Sequence, residues 1–450
     1  MIAVATDVRQ PETPAAVDRS DEFTPSFVET LDELDVSPEF LADLALKTVS
    51  REAESTTRSV ATRLRLGIMV TDALLDRLVN EKFIEKKGVV GLHNYRFGML
   101  ERGWTKVDRL LAQSSYVGAA PVSLATYTEM IVGQVRNRSG VSQAALEEAM
   151  AALVLSDATK KTLRLVASSG RSLFLSGPPG NGKTAMARAL VTAIPGTLWI
   201  PYAIEIDGQV IQVFDRHNHR SVEHGNDDFD HRWVKIRPPL VVAGGELTIQ
   251  NLDLTATNLP GRYDAPFQIK ANGGVLVIDD LGRQRCSAKE LLNRWIVPLE
   301  DRVDYLTLDT GKKVQFPFES IVVFATNLTG GDLEDEAFLR RMGCRLAVRP
   351  PPPDVYGDIF HRYAESCGLT YDPHLVAHLW ERYRLEDREP KCCEPRDLIE
   401  LVIDLCHLHD RPAELTEEVL DLAWDSYFGL ANRRPTSGGR MSHEFRPGAA

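Results

Sequence analysis

Gly177-Pro178-Pro179-Gly180-Asn181-Gly182-Lys183-Thr184 separates an apolar run, Ser172 to Leu175, from a helix-favouring run, Ala185 to Ala193. The eight residues satisfy the GxxxxGK[ST] pattern of a phosphate-binding loop. Glycines let such a loop wrap closely, so that its backbone N–H groups point inward at phosphate oxygens. The helix that starts within the loop adds its positive end. Lys183 then places a cation on the β- and γ-phosphates of a nucleotide, and the Thr184 hydroxyl completes a Mg²⁺ shell. The order strand, glycine-rich loop, helix predicts an α/β domain with a parallel sheet.

Two further segments repeat the design of an apolar strand with polar side chains at its tip. Gly274-Val275-Leu276-Val277-Ile278-Asp279-Asp280 ends in two carboxylates. Strands of a parallel sheet are apolar on both faces, and ligands bind beyond their carboxyl ends. Asp279 is placed to serve the Mg²⁺ and Asp280 to orient or activate an attacking water. Ile321-Val322-Val323-Phe324-Ala325-Thr326-Asn327 carries Asn327 to the same end of the sheet, within reach of a γ-phosphate or the lytic water. Next, Asp335-Glu336-Ala337-Phe338-Leu339-Arg340-Arg341, with Arg345 behind it, offers arginines suited to a charge-spread phosphoryl transition state. Glu394-Pro395-Arg396-Asp397 opens a helix from which Arg396 could fold back over the nucleotide.

Taken in order, GPPGNGKT, VLVIDD, VFATN, the Leu-Arg-Arg segment and Pro-Arg-Asp resemble the AAA+ ATPase superfamily over about residues 125 to 430. Within it, the QIKANGGVLVIDD and DEAFLRRMGCRLAV stretches are similar to the MoxR-like group, described as bacterial ATPases with chaperone activity. The resemblance implies ATP with Mg²⁺ bound by Gly177 to Thr184 and Asp279 at subunit interfaces. It further implies catalysis by Asp280, Asn327 as a sensor, Arg340 or Arg341 supplied in trans, and Arg396 as a second sensor. It implies a homo-oligomeric ring, usually of six, that remodels a protein client. This chain departs from the family at Asp280, where most members carry Glu. A carboxylate one methylene shorter must still reach a water, and displacement is costly in positioning catalysis. A nucleotide-gated scaffold with slow hydrolysis is therefore an alternative reading.

The implied partition is a P-loop AAA+ sheet domain over 122–353 and a four-helix lid over 354–432. The lid helices are expected at about Val355 to Ser366, His374 to Tyr383, Pro395 to His407 and Leu415 to Tyr427. Alternation in Tyr202 to Val213 around Asp207-Gly208 signals a hairpin. The sequence predicts an insertion over about 202–250, with a second strand pair near Val234 to Ile249, that projects toward a ring face or pore and contacts a client.

Ahead of this domain, residues 36–121 alternate between short amphipathic helices and two short strands, Val89-Val90 and Tyr95-Arg96-Phe97. The outline resembles a winged helix-turn-helix. Its third helix, Met69 to Phe83, sets Asp72, Asp76 and Glu81 against Arg77 and Lys82. A groove-reading helix is richer in Arg, Lys, Asn or Gln, so protein docking is preferred over DNA. A DNA-linked regulator remains the alternative. Residues 1–35, with nine acidic residues against two arginines, and 433–450, rich in Gly, Arg, Ser and Pro, read as disordered tails.

Composition bounds these readings. A 43% apolar, 26% charged chain of 450 residues can bury two or three cores. No run approaches a membrane span, and no basic region leads into an apolar stretch at the start. The formal charge of -12 argues against coating nucleic acid. Six cysteines without CxxC spacing read as reduced thiols of a cytoplasmic protein rather than a metal cluster. Gel shifts with duplex DNA at low salt are expected to show no nanomolar complex; one that weakens steeply with salt would reinstate the DNA reading.

Overall fold

The computed structural model describes residues 23–225, 228–256, 260–327 and 340–429. Two compact units emerge: residues up to 177 with 183–348, and residues 178–182 with 349 onward.

The first unit begins with helices α1 (Pro38–Val49), α2 (Thr57–Leu64) and α3 (Ile68–Asn80). Ser37 caps α1 by accepting the Phe40 amide, and Thr56 and Ser59 form a reciprocal capping box on α2, each satisfying amides that the first turn leaves unpaired. The hairpin β1 (Ile84–Gly91) and β2 (Asn94–Met99) follows, then α4 (Glu101–Gln113). A two-residue strand, Ser55–Thr56, pairs with β2, giving a three-stranded sheet in which β1 is an edge. Leu44, Leu64, Leu74, Leu75, Leu78 and Phe97 close this core.

The same core includes Ala203 and Val210, from the hairpin Ala203–Ile206 and Gln209–Gln212. Asp207 and Gly208 turn that hairpin with φ of 51° and 81°, the positive pair that a two-residue turn of this twist requires. Its strands sit inside a five-stranded mixed sheet, with Ala203, Ile204, Val210 and Ile211 fully buried. The body of the hairpin is therefore internal, and only its turn is exposed. That differs from an insertion that projects as a whole.

Residues 23–35 also differ from a disordered tail. Leu34 and Val36 are buried, and Asp35 forms an ion pair with Arg232 at 2.8 Å. Enough apolar side chains (Phe23, Phe27, Val28, Leu31, Leu34) punctuate the acidic run to dock it. Residues 1–22 and 430–450 lie outside the described residues.

The central sheet is parallel throughout. It comprises β3 (Leu173–Ser176), β4 (Leu240–Ala243), β5 (Val275–Ile278), β6 (Ile321–Thr326) and β7 (Cys344–Ala347), in the order β4-β5-β6-β3-β7. Helix α5 (Lys183–Ala193) follows the loop after β3 and packs Ala187, Leu190 and Ala193 on the sheet core. The inclusion of β4 corrects the insertion boundary. Leu240 to Ala243, bounded by Pro238-Pro239 and Gly244-Gly245, is an apolar run that pairs in parallel with β5. Periodicity alone could not separate it from a hairpin strand. Trp233–Ile236 pairs with Leu198–Pro201 instead.

The second unit packs α6 (Pro353–Ser366), α7 (Pro373–Leu385), α8 (Glu394–Leu408) and α9 (Glu417–Phe428) around Tyr356, Phe360, Leu379, Tyr383, Leu398, Val402 and Trp424. Glu394 is 1% exposed. It accepts from Tyr383 Oη at 2.6 Å and the Lys391 amide at 2.7 Å, and burial raises its pKa. Among the described residues, no helix is long and apolar enough to cross a membrane.

Lys47 supplies a pH-dependent contribution to stability. It is 4% exposed and donates to the Ser114 carbonyl at 3.0 Å. Burial pushes its ammonium down to about 8 from an ordinary 10.5, against the attraction of Asp43. Between those two values the unfolded chain holds more protons than the folded one, so stability rises with pH there, on the order of 1 kcal/mol per unit. Thermal melts from pH 7 to 10 are expected to show that rise in the unaltered chain and lose it in Lys47→Met.

Candidate functional site

The loop after β3 owes its path to three glycines. Gly177 has φ of 145°, and a Cβ there would lie 2.0 Å from the Val348 carbonyl oxygen. Gly180 and Gly182 both have φ of 83°. Side chains other than glycine resist these conformations, so the loop's curvature is written into its residue types. In the second unit, the Cys393 amide donates to Gly180 O at 2.9 Å, and the Cys392 amide donates to Asn181 Oδ1 at 3.1 Å. The Asn181 Nδ2 donor is enclosed without a partner.

Lys183 opens α5 and is 7% exposed. Its ammonium donates to Gly177 O at 2.8 Å and to Asn327 Oδ1 at 2.7 Å. Burial lowers its pKa, while Asp280 and Asp279 pull it back up. The Asn327 amide donates in turn to Asp280 Oδ1 at 2.7 Å. One residue along, Thr184 Oγ1 donates to Asp279 Oδ2 at 2.7 Å. The ends of three adjacent strands, β3, β6 and β5, thus meet in one polar network.

Asp279 and Asp280 are held by the backbone around them. The Asp279 amide donates to Ala243 O at 2.8 Å, tying β5 to β4. Asp280 then turns the chain with φ of 50°, and its amide donates to Asp279 Oδ1 at 3.0 Å. The Leu281 amide donates to Ala325 O at 2.8 Å, and Thr326 Oγ1 donates to Leu281 O at 2.8 Å. Gln284 Nε2 donates to Asp279 O at 2.7 Å. Sequence reasoning missed Gln284 and Thr326 as positioning residues. Thr326 carried a signal, as the residue before Asn327, and Gln284 carried none.

The left-handed corner bears on the choice of Asp. Short polar side chains tolerate positive φ by bonding to the local backbone, whereas longer ones do not share that advantage. Asp280 combines a carboxylate with this conformation.

The arginines are distributed differently. Arg341 pairs with Glu300 and is half-buried, while Arg340 and Arg345 are exposed. Asp335 to Leu339 lie outside the described residues. In the second unit, Arg396 is bound to Asp397 at 2.8 Å and approaches Glu400 at 4.0 Å. All six cysteines are free thiols, and no cluster of metal-ligating side chains occurs among the described residues.

Magnesium with a nucleotide fits these groups. A hydroxyl and a carboxylate are hard oxygen donors, and Mg²⁺ is held by few protein oxygens together with phosphates and water. Lys183 provides a buried cation.

The chain is similar to known proteins in the same region. A family model described as magnesium chelatase, subunit ChlI, matches residues 150–228, which contain the phosphate-binding loop. A second, described as Domain of unknown function (DUF8689), matches residues 352–426. No curated protein matches the chain. Similar solved structures include NtrX from Brucella abortus, at 16% identity over 64% of this chain and 58% of that one, with a TM-score of 0.40. The Holliday junction branch migration motor RuvB from Thermotoga maritima matches at 14% identity over 65% and 72%, with a TM-score of 0.35. The fold is a P-loop α/β fold. A parallel five-stranded sheet and a helical C-terminal region are both present, as the resemblance to AAA+ proteins implied.

The corner at Asp280 is directly testable. Asp280→Asn, equally at ease at positive φ, is expected to melt within about 0.5 kcal/mol of the unaltered chain. Asp280→Val, β-branched, is expected to lose about 1–3 kcal/mol. Equal melting of the two would remove the conformational argument.

Proposed function

We propose that the chain is a Mg-ATP-dependent AAA+ ATPase, of the MoxR-like kind, that forms a homo-oligomeric ring and remodels a protein client. The observation that carries this reading is the network Lys183–Asn327–Asp280 beside Thr184–Asp279, at the ends of three neighbouring parallel strands. The similarity of residues 150–228 to the magnesium chelatase ChlI family supports nucleotide binding at the same loop.

Gly177, Pro178, Pro179, Gly180, Asn181 and Gly182 turn amides toward phosphates, and Lys183 neutralises their charge. Thr184 and Asp279 would hold the Mg²⁺, which when bound neutralises charge on the phosphate oxygens. Asp280 accepts a proton from an attacking water. Asn327 bridges Lys183 and Asp280, so its amide aligns the cation and the base on the same water. Arg341, or Arg340 beside it, serves a neighbouring subunit, and Arg396 acts as the second sensor after exchanging Asp397 for phosphate. Residues 36–121 form a winged-helix-like docking domain for protein. The acidic side chains of α3, Asp72 and Asp76, disfavour a DNA backbone.

One observation favours a second reading, a switch that binds ATP and scarcely hydrolyses it. Asp280 is short, and its Oδ1 is already bonded to Asn327.

Steady-state ATP hydrolysis against protein concentration separates the two. A motor is expected to gain specific activity with concentration, to be poisoned by admixed Arg341→Ala chains, and to lose about 100-fold or more in Asp280→Asn. Tight ATP binding without turnover at any concentration supports the switch. Lys183→Ala is expected to abolish binding in both cases, and an unaltered chain that binds no ATP would sink the whole reading.

A further inference from the structure

A groove of about 980 Å³ lies wholly in the second unit, apart from every residue discussed above as binding nucleotide. Tyr371, Trp380 and Tyr383 line it, together with Pro353 and Pro373, and the carboxylates of Asp354 and Asp358 stand at its rim. The other charged groups lining it are largely balanced: Arg384 approaches Glu381 at 3.6 Å, and Arg388 pairs with Glu386 at 2.8 Å. Aromatic rings and rim carboxylates are the features that recognise an extended, proline-containing basic segment. Rings pack the pyrrolidine, and acids take the flanking cations.

The chain supplies such a segment where it leaves this unit. Helix α9 ends at Phe428. The Arg388 guanidinium lies 4.3 Å from the Phe428 ring centroid, and the Tyr383 ring lies 6.4 Å from it. Both Arg388 and Tyr383 line the groove. The first charged residues beyond α9 are Arg433 and Arg434, followed by Pro435. Five residues span up to about 17 Å when extended, enough to carry Arg433 from Phe428 across a groove that begins beside it.

We infer that this groove is a docking site for the chain's own Arg433-Arg434-Pro435 segment, bound in cis. The same surface then selects for Arg-Arg-Pro in competing peptides, so the segment works as a built-in competitor for basic, proline-containing ligands.

The test uses the full chain and a fluorescein-labelled peptide of residues 430–440, followed by anisotropy. An Arg433→Glu/Arg434→Glu chain, whose own segment no longer matches the rim, is expected to bind the peptide at least about 10-fold more tightly than the unaltered chain. Adding Asp354→Asn and Asp358→Asn is expected to weaken that binding about 10-fold. Both positions are exposed, and unchanged melting verifies that the fold survives. A peptide with Pro435→Ala, or with its order scrambled, is expected to bind more weakly. Equal affinity for the unaltered and charge-reversed chains would overturn occupancy in cis. Indifference to the Asp354 and Asp358 changes, equal binding of the scrambled peptide, or no binding by either chain would overturn the site.

Discussion

The position of β6 between β3 and β5 is the constraint from which the rest of the candidate site follows. With β6 in that place, one side chain at its tip, Asn327, can touch both Lys183 and Asp280. Were the two outer strands adjacent, the ammonium and the carboxylate would pair directly, and a short buried ion pair would hold both groups in place. The amide keeps them apart and polarised instead. Burial depresses the Lys183 ammonium, and the carboxylates of Asp280 and Asp279 offset only part of that effect.

That arrangement depends on backbone bonds which few side chains advertise. Asp279 is tied to β4, Leu281 to β6, and the Thr326 hydroxyl closes the corner from the other side. Three strands, β4, β5 and β6, thus converge on the corner from Asp279 to Leu281. The fully buried faces of β5 and β6 provide the rigidity, since each interior side chain contributes roughly 1.5–3 kcal/mol on burial. A polar network assembled on loops alone would lack that support.

Much of this was legible in the residues themselves. The phosphate-binding loop, both tip-bearing strands and the four helices of the second unit are marked by strong local signals: glycines needing positive φ, uninterrupted apolar runs, and prolines at the first turn of α6, α7 and α8. What escaped reading was non-local. Leu240 to Ala243 looks the same whether it pairs with β5 or with a hairpin partner, because an apolar run does not name its neighbour. The hairpin Val303–Thr307 with Lys313–Pro317 was missed, although Val314 and Phe316 alternate with polar residues. The ordering of Leu34 and Asp35 depended on Arg232, almost two hundred residues away, which no window of sequence contains.

Arg232 has an energetic consequence. Its guanidinium, 4% exposed, is shared among Asp35, Asp230 and the Pro121 carbonyl, while Asp35 also accepts the Ser123 amide. Three distant stretches of chain are thereby riveted at one buried point, together with the sheet that carries Ala203 and Val210. A buried charge stripped of a partner is costly, so loss of Asp35 or Asp230 would leave the guanidinium uncompensated. The stretches around Asp35, Pro121 and Asp230 are therefore energetically coupled, since displacing any one of them withdraws a partner from the same buried cation.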